Sequence, residues 1–332
     1  MTNIAEPLSK LPGLPQRTPL GHKGTFGTVM IIGGHSVGPD GGLVMGGAPA
    51  LAGRAALRSG AGLARIAVPA DLAGSVLSAC PSATVLALPQ NHESGEILPS
   101  LSAELLDEHL VHVNSLAIGP GWGVGFPQQQ VLVRLIASGH KPVVLDADGL
   151  NNLASVVDFP GEIRCPLILT PHPREFARLA GALGWEGVRA EPQTQEERTD
   201  AAAELARRLG CIVVLKGAQT VVTDGHEIWV SPFVNSALAT AGTGDVLTGI
   251  AASLVGQWYS PRVSTSRTND ETGLSLLHCA AWSVGLHGLA AELWREQHGD
   301  AGLLAAELAD LVPDALQRAR TMMRAHESQG RS

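Results

Sequence analysis

The stretch Asn235-Ser236-Ala237-Leu238-Ala239-Thr240-Ala241-Gly242-Thr243-Gly244-Asp245 runs without a break into Val246, Leu247, Ile250 and Leu254. Apolar residues three and four apart mark one face of a helix, which puts Asp245 in its first turn. Glycines let a ligand come close to the backbone, and the free N–H groups and dipole of a helix start favour an anion there. Gly242, Thr243 and Gly244 therefore read as an anion hole with a carboxylate beside it. Phosphoryl transfer to a hydroxyl needs that pair: donors for the moving phosphoryl group and a base for the hydroxyl proton. Taken alone, the motif also allows an aspartate that only complements the helix dipole.

More residues of this kind lie just after apolar runs. Lys216 ends such a run and is followed by Gly217, Ala218, Gln219 and Thr220. A turn containing Gly119 and Gly121 (GPGWG) follows another, and Asp146 and Asp148 (DADGLNN) follow a third. The two aspartates could form a metal-binding or base pair, although Asp148 also suits a helix start. His172 stands between two prolines that fix its backbone, either as a structural histidine or as a ligand contact. Glu175 opens the next helix and is the candidate to hold magnesium through water, since that ion keeps much of its hydration shell. His278 and His287, on a helical segment spanning Leu276–Trp294, read as core histidines.

Short apolar runs and helical patterns alternate along the chain. Strands are expected at Thr28–Gly34, Leu63–Val68, Ala83–Leu88, Ser115–Gly119, Pro142–Asp146, Pro166–Thr170 and Cys211–Lys216. Their nearly unbroken apolar character fits strands covered on both faces. Helices are expected near Gly47–Ser59, Leu101–Val111, Gln128–Ser138, Arg174–Gly181 and Gln195–Leu209. The alternation predicts a mainly parallel sheet with helices on both sides, and Thr220–Val230 reads as a hairpin closing it with an antiparallel edge. Ligands in such sheets collect at the carboxyl ends of the strands, where the motifs above fall.

The 332 residues, 45% hydrophobic, suffice for one large α/β domain spanning 1–332, with peripheral tails at 1–20 and 322–332 and a loop insertion at 260–273. A second polar stretch, Glu186–Asp200, reads as a surface loop. The net charge is −8 and the basic residues are scattered, so no nucleic-acid partner is expected. No run is apolar enough for a membrane span or a signal peptide, which predicts a cytoplasmic protein without membrane attachment. The four cysteines are widely spaced and read as buried free thiols.

In order, HKGTFGTVMIIGG, GGAPALAGRAALRSGAGL, GPGWG, VLDADGLNNLA, LTPHPREFARL, VVLKGAQTVV and LATAGTGDVLTGIAASLVGQ resemble the ADP- or ATP-dependent NAD(P)H-hydrate dehydratases. The likeness covers about Gly21 to Gln257 and resumes at Ala280–Leu293 and in the final helix. It implies a ribokinase-like fold, a three-layer α/β/α sandwich. The implied reaction is cofactor repair: hydrated, inactive nicotinamide cofactor of 6S configuration is returned to NADH or NADPH at the expense of a nucleotide phosphoanhydride. ADP or ATP would be the co-substrate, with Mg2+. The resemblance places the hydrated cofactor against Ala48, Gly119, Gly121, His172 and Asp245. It places the nucleotide against Lys216, Gly217, Ala218, Gln219, Thr220 and Gly244. Asp245 would take the proton from the ring hydroxyl, and loss of phosphate would restore the dihydropyridine.

The chain departs from the family's pattern at three places. HSVGPDGGLVMGGAP is longer than usual and lacks an aromatic residue, Asn235–Leu238 stands where a glycine and a methionine are common, and Ser260–Gly273 is added. The chain leaves no room for the epimerase domain often fused ahead of the dehydratase, so a separate epimerase is expected, as is a homo-oligomer. Two other functions compete. A kinase of the same fold acting on a vitamin-precursor alcohol would use the same GTGD logic but leave a stable phosphate ester. A nucleotide-binding regulator would bind without turnover.

Overall fold

The computed structural model describes residues 4–37, 41–185, 194–261 and 273–329. One sheet of nine strands runs through it: β1 (Thr28–Ile32), β2 (Leu63–Pro69), β3 (Thr84–Leu88), β4 (Ser115–Ile118), β5 (Val143–Leu145), β6 (Leu167–Leu169), β7 (Ile212–Leu215), β8 (Val221–Thr223) and β9 (Ile228–Val230). Their order is β3-β2-β1-β4-β5-β6-β7-β8-β9. Neighbours from β3 through β7 pair in parallel, and β8 pairs antiparallel with both β7 and β9. Each strand expected from the sequence is present, and the hairpin closes the sheet as expected. Its turn is held by Asp224 Oδ1, which accepts from the His226 and Glu227 backbone N–H groups.

The helices are α1 (Ala5–Ser9), α2 (Gly47–Arg58), α3 (Ala73–Ala79), α4 (Pro99–Leu110), α5 (Phe126–Ser138), α6 (Asp148–Ala154), α7 (Pro173–Ala182), α8 (Gln195–Leu209), α9 (Thr243–Trp258), α10 (Leu276–His298), α11 (Ala305–Asp310) and α12 (Val312–Gln329). Alternate strand residues serve opposite faces, so the sheet divides two cores. Val29, Ile31, Ala117 and Val144 join α2, α9 and α10 on one side; Met30, Ile32, Leu116 and Val143 join α4, α5 and α8 on the other. This is a three-layer α/β/α sandwich. It explains the continuous apolar strand runs, because both faces of β1 are buried.

The amino-terminal segment is more than a tail. Leu8, Leu11 and Leu14 are buried in the α10 core, while the Trp229 and Trp282 indole N–H groups donate to the Pro7 and Pro12 carbonyls. At the other end, α12 continues through Met322 and Met323, both packed against the core. Of the expected insertion at 260–273, residues 262–272 lie outside the described residues, as do residues 186–193 of the other polar stretch. The ends of the insertion are tied together, with Leu274 N–H donating to Trp258 O (2.8 Å) and Ser260 N–H to Leu274 O (3.1 Å). Among the described residues, no helix is long and apolar enough to cross a membrane.

Helix α9 carries the GTGD turn and packs closely on α2. A Cβ at Gly249 would overlap the Ala52 carbonyl oxygen. Gly249→Ala is therefore expected to push α9 off α2 and cost about 1–3 kcal/mol, the usual penalty of overpacking, measurable by denaturant titration.

Candidate active site

The sheet changes direction of winding between β1 and β4, where a crevice opens at the strands' carboxyl ends. The Gly119-Pro120-Gly121 turn fills its floor: Gly119 N–H donates to Ile32 O (2.9 Å) and Pro120 O accepts from Gly34 N–H (3.0 Å). Gly119 is required there, because its φ is +120° and a Cβ would overlap the Asp146 carbonyl oxygen. Ala48, in the first turn of α2, abuts the same turn, its Cβ lying 3.2 Å from where a Cβ on Gly121 would stand. Asp148 is not the cap of α6. Its carboxylate instead accepts from Gly123 N–H (2.8 Å) and the Asn151 side chain, fixing GPGWG to the start of that helix.

Asp146, buried to 1% exposure at the end of β5, is the hub of the next layer. One oxygen receives Lys216 Nζ at 2.6 Å, and the other accepts from Thr248 Oγ1 at 2.6 Å. Burial alone would raise the Asp146 pKa, but the Lys216 charge and the hydrogen bonds from Lys216, Thr248 and Thr170 outweigh it and hold the carboxyl below its ordinary range. Burial opposes the Lys216 charge, yet Asp146, Glu175 and Asp245 hold its ammonium above the usual lysine value. Lys216 also lies 3.8 Å from Glu175 Oε2.

His172 and Glu175 form a capping box at the start of α7. His172 Nδ1 accepts from the Arg174 and Glu175 backbone N–H groups (3.1 and 3.3 Å), and Glu175 Oε2 accepts from His172 N–H (2.8 Å). Burial, together with the Lys216 and Arg178 charges, lowers the His172 pKa, so the ring is neutral with its proton on Nε2. Nε2 stands 3.3 Å from Glu175 Oε1. Among the described residues no cluster of three or more His, Cys, Asp or Glu side chains could hold a metal ion. The Asp146 and Glu175 carboxylates are already engaged by Lys216, Thr248 and the His172 backbone N–H.

Asp245 differs from these carboxylates. It occupies the third position of α9, after Gly242 at φ +90°, and among the described residues it accepts no hydrogen bond. Burial, reinforced by the Asp146 charge and opposed by Lys216, raises its pKa to about 7. The turn before it is held otherwise: Thr243 Oγ1 donates to the Leu238 and Thr240 carbonyls (2.9 Å each), and His287 Nε2 lies 2.9 Å from Thr243 O. A Cβ on Gly244 would lie 3.7 Å from Lys216 Nζ and 3.9 Å from Asp146 Oδ2, so the helix start, the ammonium and the buried carboxylate form one cluster.

A cavity of about 390 Å³ adjoins this cluster. Lys216, Gly217, Ala218, Thr220, Thr243 and Gly244 line one part of it, and Phe233, Leu238, Leu247 and Val284 supply apolar walls. The lining thus combines a cation and backbone groups with apolar walls. The loop after Lys216 is shaped by Arg198 of α8, which donates to the Leu215, Lys216 and Ala218 carbonyls. Gln219, at φ +53°, is exposed and does not line the cavity; its carbonyl accepts from Gln195 and its N–H donates to Phe233 O.

The structure therefore gathers Ala48, Gly119 and Gly121 at the crevice, and Lys216, Gly217, Ala218, Thr220 and Gly244 at the cavity. Asp245 lies at the helix start, within electrostatic reach of Lys216, Asp146 and Asp148. Three contributors escaped the sequence: Asp146 as the partner of Lys216, Thr248 as its second anchor, and His287. The spacing of Gly244 and Thr248 puts both on one helical face, which was a usable signal. Of the two histidines expected in the core, His278 is satisfied by Ser275, whereas His287 reaches the cavity.

Layering and strand order give the chain a ribokinase-like fold, a mostly parallel central sheet with flanking helices. The NAD(P)H-hydrate dehydratase family model matches residues 29–314, and the chain belongs to that family. It is 36% identical to a bifunctional NAD(P)H-hydrate repair enzyme of Moorella thermoacetica, over 92% of this chain and 52% of that protein. The chain thus spans about half the length of such bifunctional relatives. It is 32% identical to an ADP-dependent (S)-NAD(P)H-hydrate dehydratase of Bacillus subtilis, over 92% of this chain and 94% of that protein. A crystal structure of an ADP/ATP-dependent NAD(P)H-hydrate dehydratase from Bacillus subtilis, co-crystallised with ATP and Mg2+, superposes with a TM-score of 0.71 at 30% identity. It covers 96% of this chain and all of that one.

Proposed function

We propose that the protein dehydrates the S-configured hydrates of NADH and NADPH at the expense of ADP or ATP, restoring the reduced cofactors. The observation that carries this reading is Asp245, a carboxylate in the first turn of α9 with a pKa of about 7 and no hydrogen-bond partner among the described residues, beside a cavity lined by Lys216 and by apolar side chains. The hydrated ring lies in the crevice against Ala48, Gly119, Gly121 and His172. The nucleotide occupies the cavity, its phosphates toward Lys216 and the Gly242–Gly244 turn. Asp245 takes the hydroxyl proton as the oxygen attacks the terminal phosphorus and the bond to the leaving nucleotide breaks. Phosphate then departs with the electrons of its bond to carbon, and a proton is lost from the neighbouring ring carbon as the double bond re-forms. Phosphate leaves far more readily than hydroxide, which is what the nucleotide supplies. Magnesium brought by the nucleotide would be held through water by Glu175 and would supply positive charge to the transferring group.

Phosphorus NMR of a reaction mixture tests this against the kinase alternative. Free inorganic phosphate appearing in step with restored cofactor supports the dehydratase. A stable phosphate monoester on pyridoxal or a similar alcohol, with no action on the hydrate, would replace it with a kinase.

The base imposes a pH dependence. Asp245 acts only when deprotonated, so kcat/KM for the hydrate is expected to rise through about pH 7 and level off above it, falling at lower pH. A profile flat from pH 5 to 8 would remove Asp245 from the proton transfer.

A further inference from the structure

We propose that His287 of α10 is a positioning residue for the anion hole: through its hydrogen bond to the Thr243 carbonyl it orients and polarises the peptide whose other end is the Gly244 N–H. The proposal rests on the reading of Gly242–Gly244 as the phosphoryl-binding turn.

Its geometry is specific. His287 Nε2 lies 2.9 Å from Thr243 O, and a carbonyl only accepts, so Nε2 must carry the proton. The carbonyl of Thr243 and the N–H of Gly244 belong to one planar trans peptide, so fixing one end fixes the direction of the other. Hydrogen bonds in series also strengthen each other, and a donor on that oxygen makes the Gly244 N–H a better donor to an anion. Within α9 this carbonyl has a second lone pair for its helical partner, so the histidine bond is an addition that helix formation does not need. The same ring lines the cavity.

The environment keeps the ring a neutral donor. Burial lowers the His287 pKa, the Thr243 bond opposes that, and the Lys216 charge lowers it further, to about 4. A neutral donor holds the turn without adding a charge that would compete with Lys216 for the phosphates. One helical turn further along α9, Thr248 Oγ1 donates to Asp146 and also contacts the Gly244 carbonyl (3.1 Å). The two bonds therefore grip the start of α9 from α10 and from the sheet.

The test compares His287→Gln, whose side-chain amide can still donate toward the Thr243 carbonyl, with His287→Leu, which cannot. With the hydrate and ADP, His287→Leu is expected to lower kcat about tenfold, a fraction of the loss seen when an oxyanion donor is deleted outright. KM for ADP should stay within about threefold, and His287→Gln should recover most of the loss. Glycine-selective nitrogen labelling gives a second readout that needs no turnover: the Gly244 amide proton should move upfield in His287→Leu and return in His287→Gln. Unmoved Gly244 resonances, or equal losses in the two variants, would overturn the proposal. Wild-type protein that never turns over the hydrate, while Gly244 still responds to position 287, would defeat the dehydratase reading and leave the positioning role standing.

Discussion

Asp245→Asn is expected to lower turnover of the hydrate about a hundred- to ten-thousand-fold while leaving the protein folded and able to bind nucleotide. The amide keeps the shape of the side chain and deletes the base. No hydrogen bond in the described structure depends on the carboxylate, which caps no helix N–H, although its charge adds to the field on Lys216. Nucleotide affinity is expected to hold or improve, because a negative charge is removed from beside the phosphates. The stability change separates catalysis from structure. An aspartate whose pKa is raised by folding to about 7 holds its proton more tightly in the native state. Its contribution to stability is therefore lost as pH rises from the ordinary carboxylate range through 7. Asp245→Asn should accordingly melt at or above the wild-type temperature at pH 8. A helix-start aspartate would instead lose roughly 0.5–2 kcal/mol of stability and keep its turnover per folded molecule. Melting temperature, nucleotide affinity and turnover measured on one preparation check all of this.

Lys216→Met is expected to damage both the fold and nucleotide binding. Position in the sequence alone puts this lysine beside phosphates and predicts a loss of roughly 1.5–3 kcal/mol in nucleotide affinity with the fold intact. Its contact with Asp146 changes the second half of that expectation. Asp146 is buried, and removing the ammonium at 2.6 Å strands its charge, a loss on the order of 3–5 kcal/mol. Adding Asp146→Asn to Lys216→Met should restore much of the stability and none of the nucleotide affinity, the non-additivity expected of a buried pair. Urea titration of the single and double variants, with calorimetric titration of ADP, checks both halves. A Lys216→Met protein as stable as wild type would mean that Asp146 does not rely on it.

The strands were legible because a sheet buried on both faces writes itself as unbroken apolar runs, and the ligand residues because they follow those runs directly. The helix from Thr243 and its aspartate could be read from spacing alone. Partnerships across the sheet could not. Asp146 and Lys216 are 70 residues apart and Asp146 and Thr248 are 102 apart, and they meet only because β5 and β7 lie on either side of β6 with α9 packed on the sheet face that Val144 shares. That order is a property of the folded sheet and leaves no local mark. Leu8, Leu11 and Leu14 were equally silent, because Pro7, Pro12 and Pro15 interrupt the stretch and only Leu8 lies in a helix, the five-residue α1, too short to show a period. Helix α3 was missed for a related reason: in Ala73–Ala79 only Val76 is buried, too few apolar positions to show a period.

The central claim is nucleotide-driven dehydration, and the most direct measurement follows the near-ultraviolet absorbance of dihydronicotinamide as the protein is incubated with purified S-configured NADH hydrate, magnesium and ADP or ATP. The expected result is a recovery of absorbance that requires both protein and nucleotide, proceeds with NADPH hydrate as well, and is abolished to within background by Asp245→Asn. Folded wild-type protein that binds nucleotide yet restores no absorbance with either ADP or ATP would contradict it.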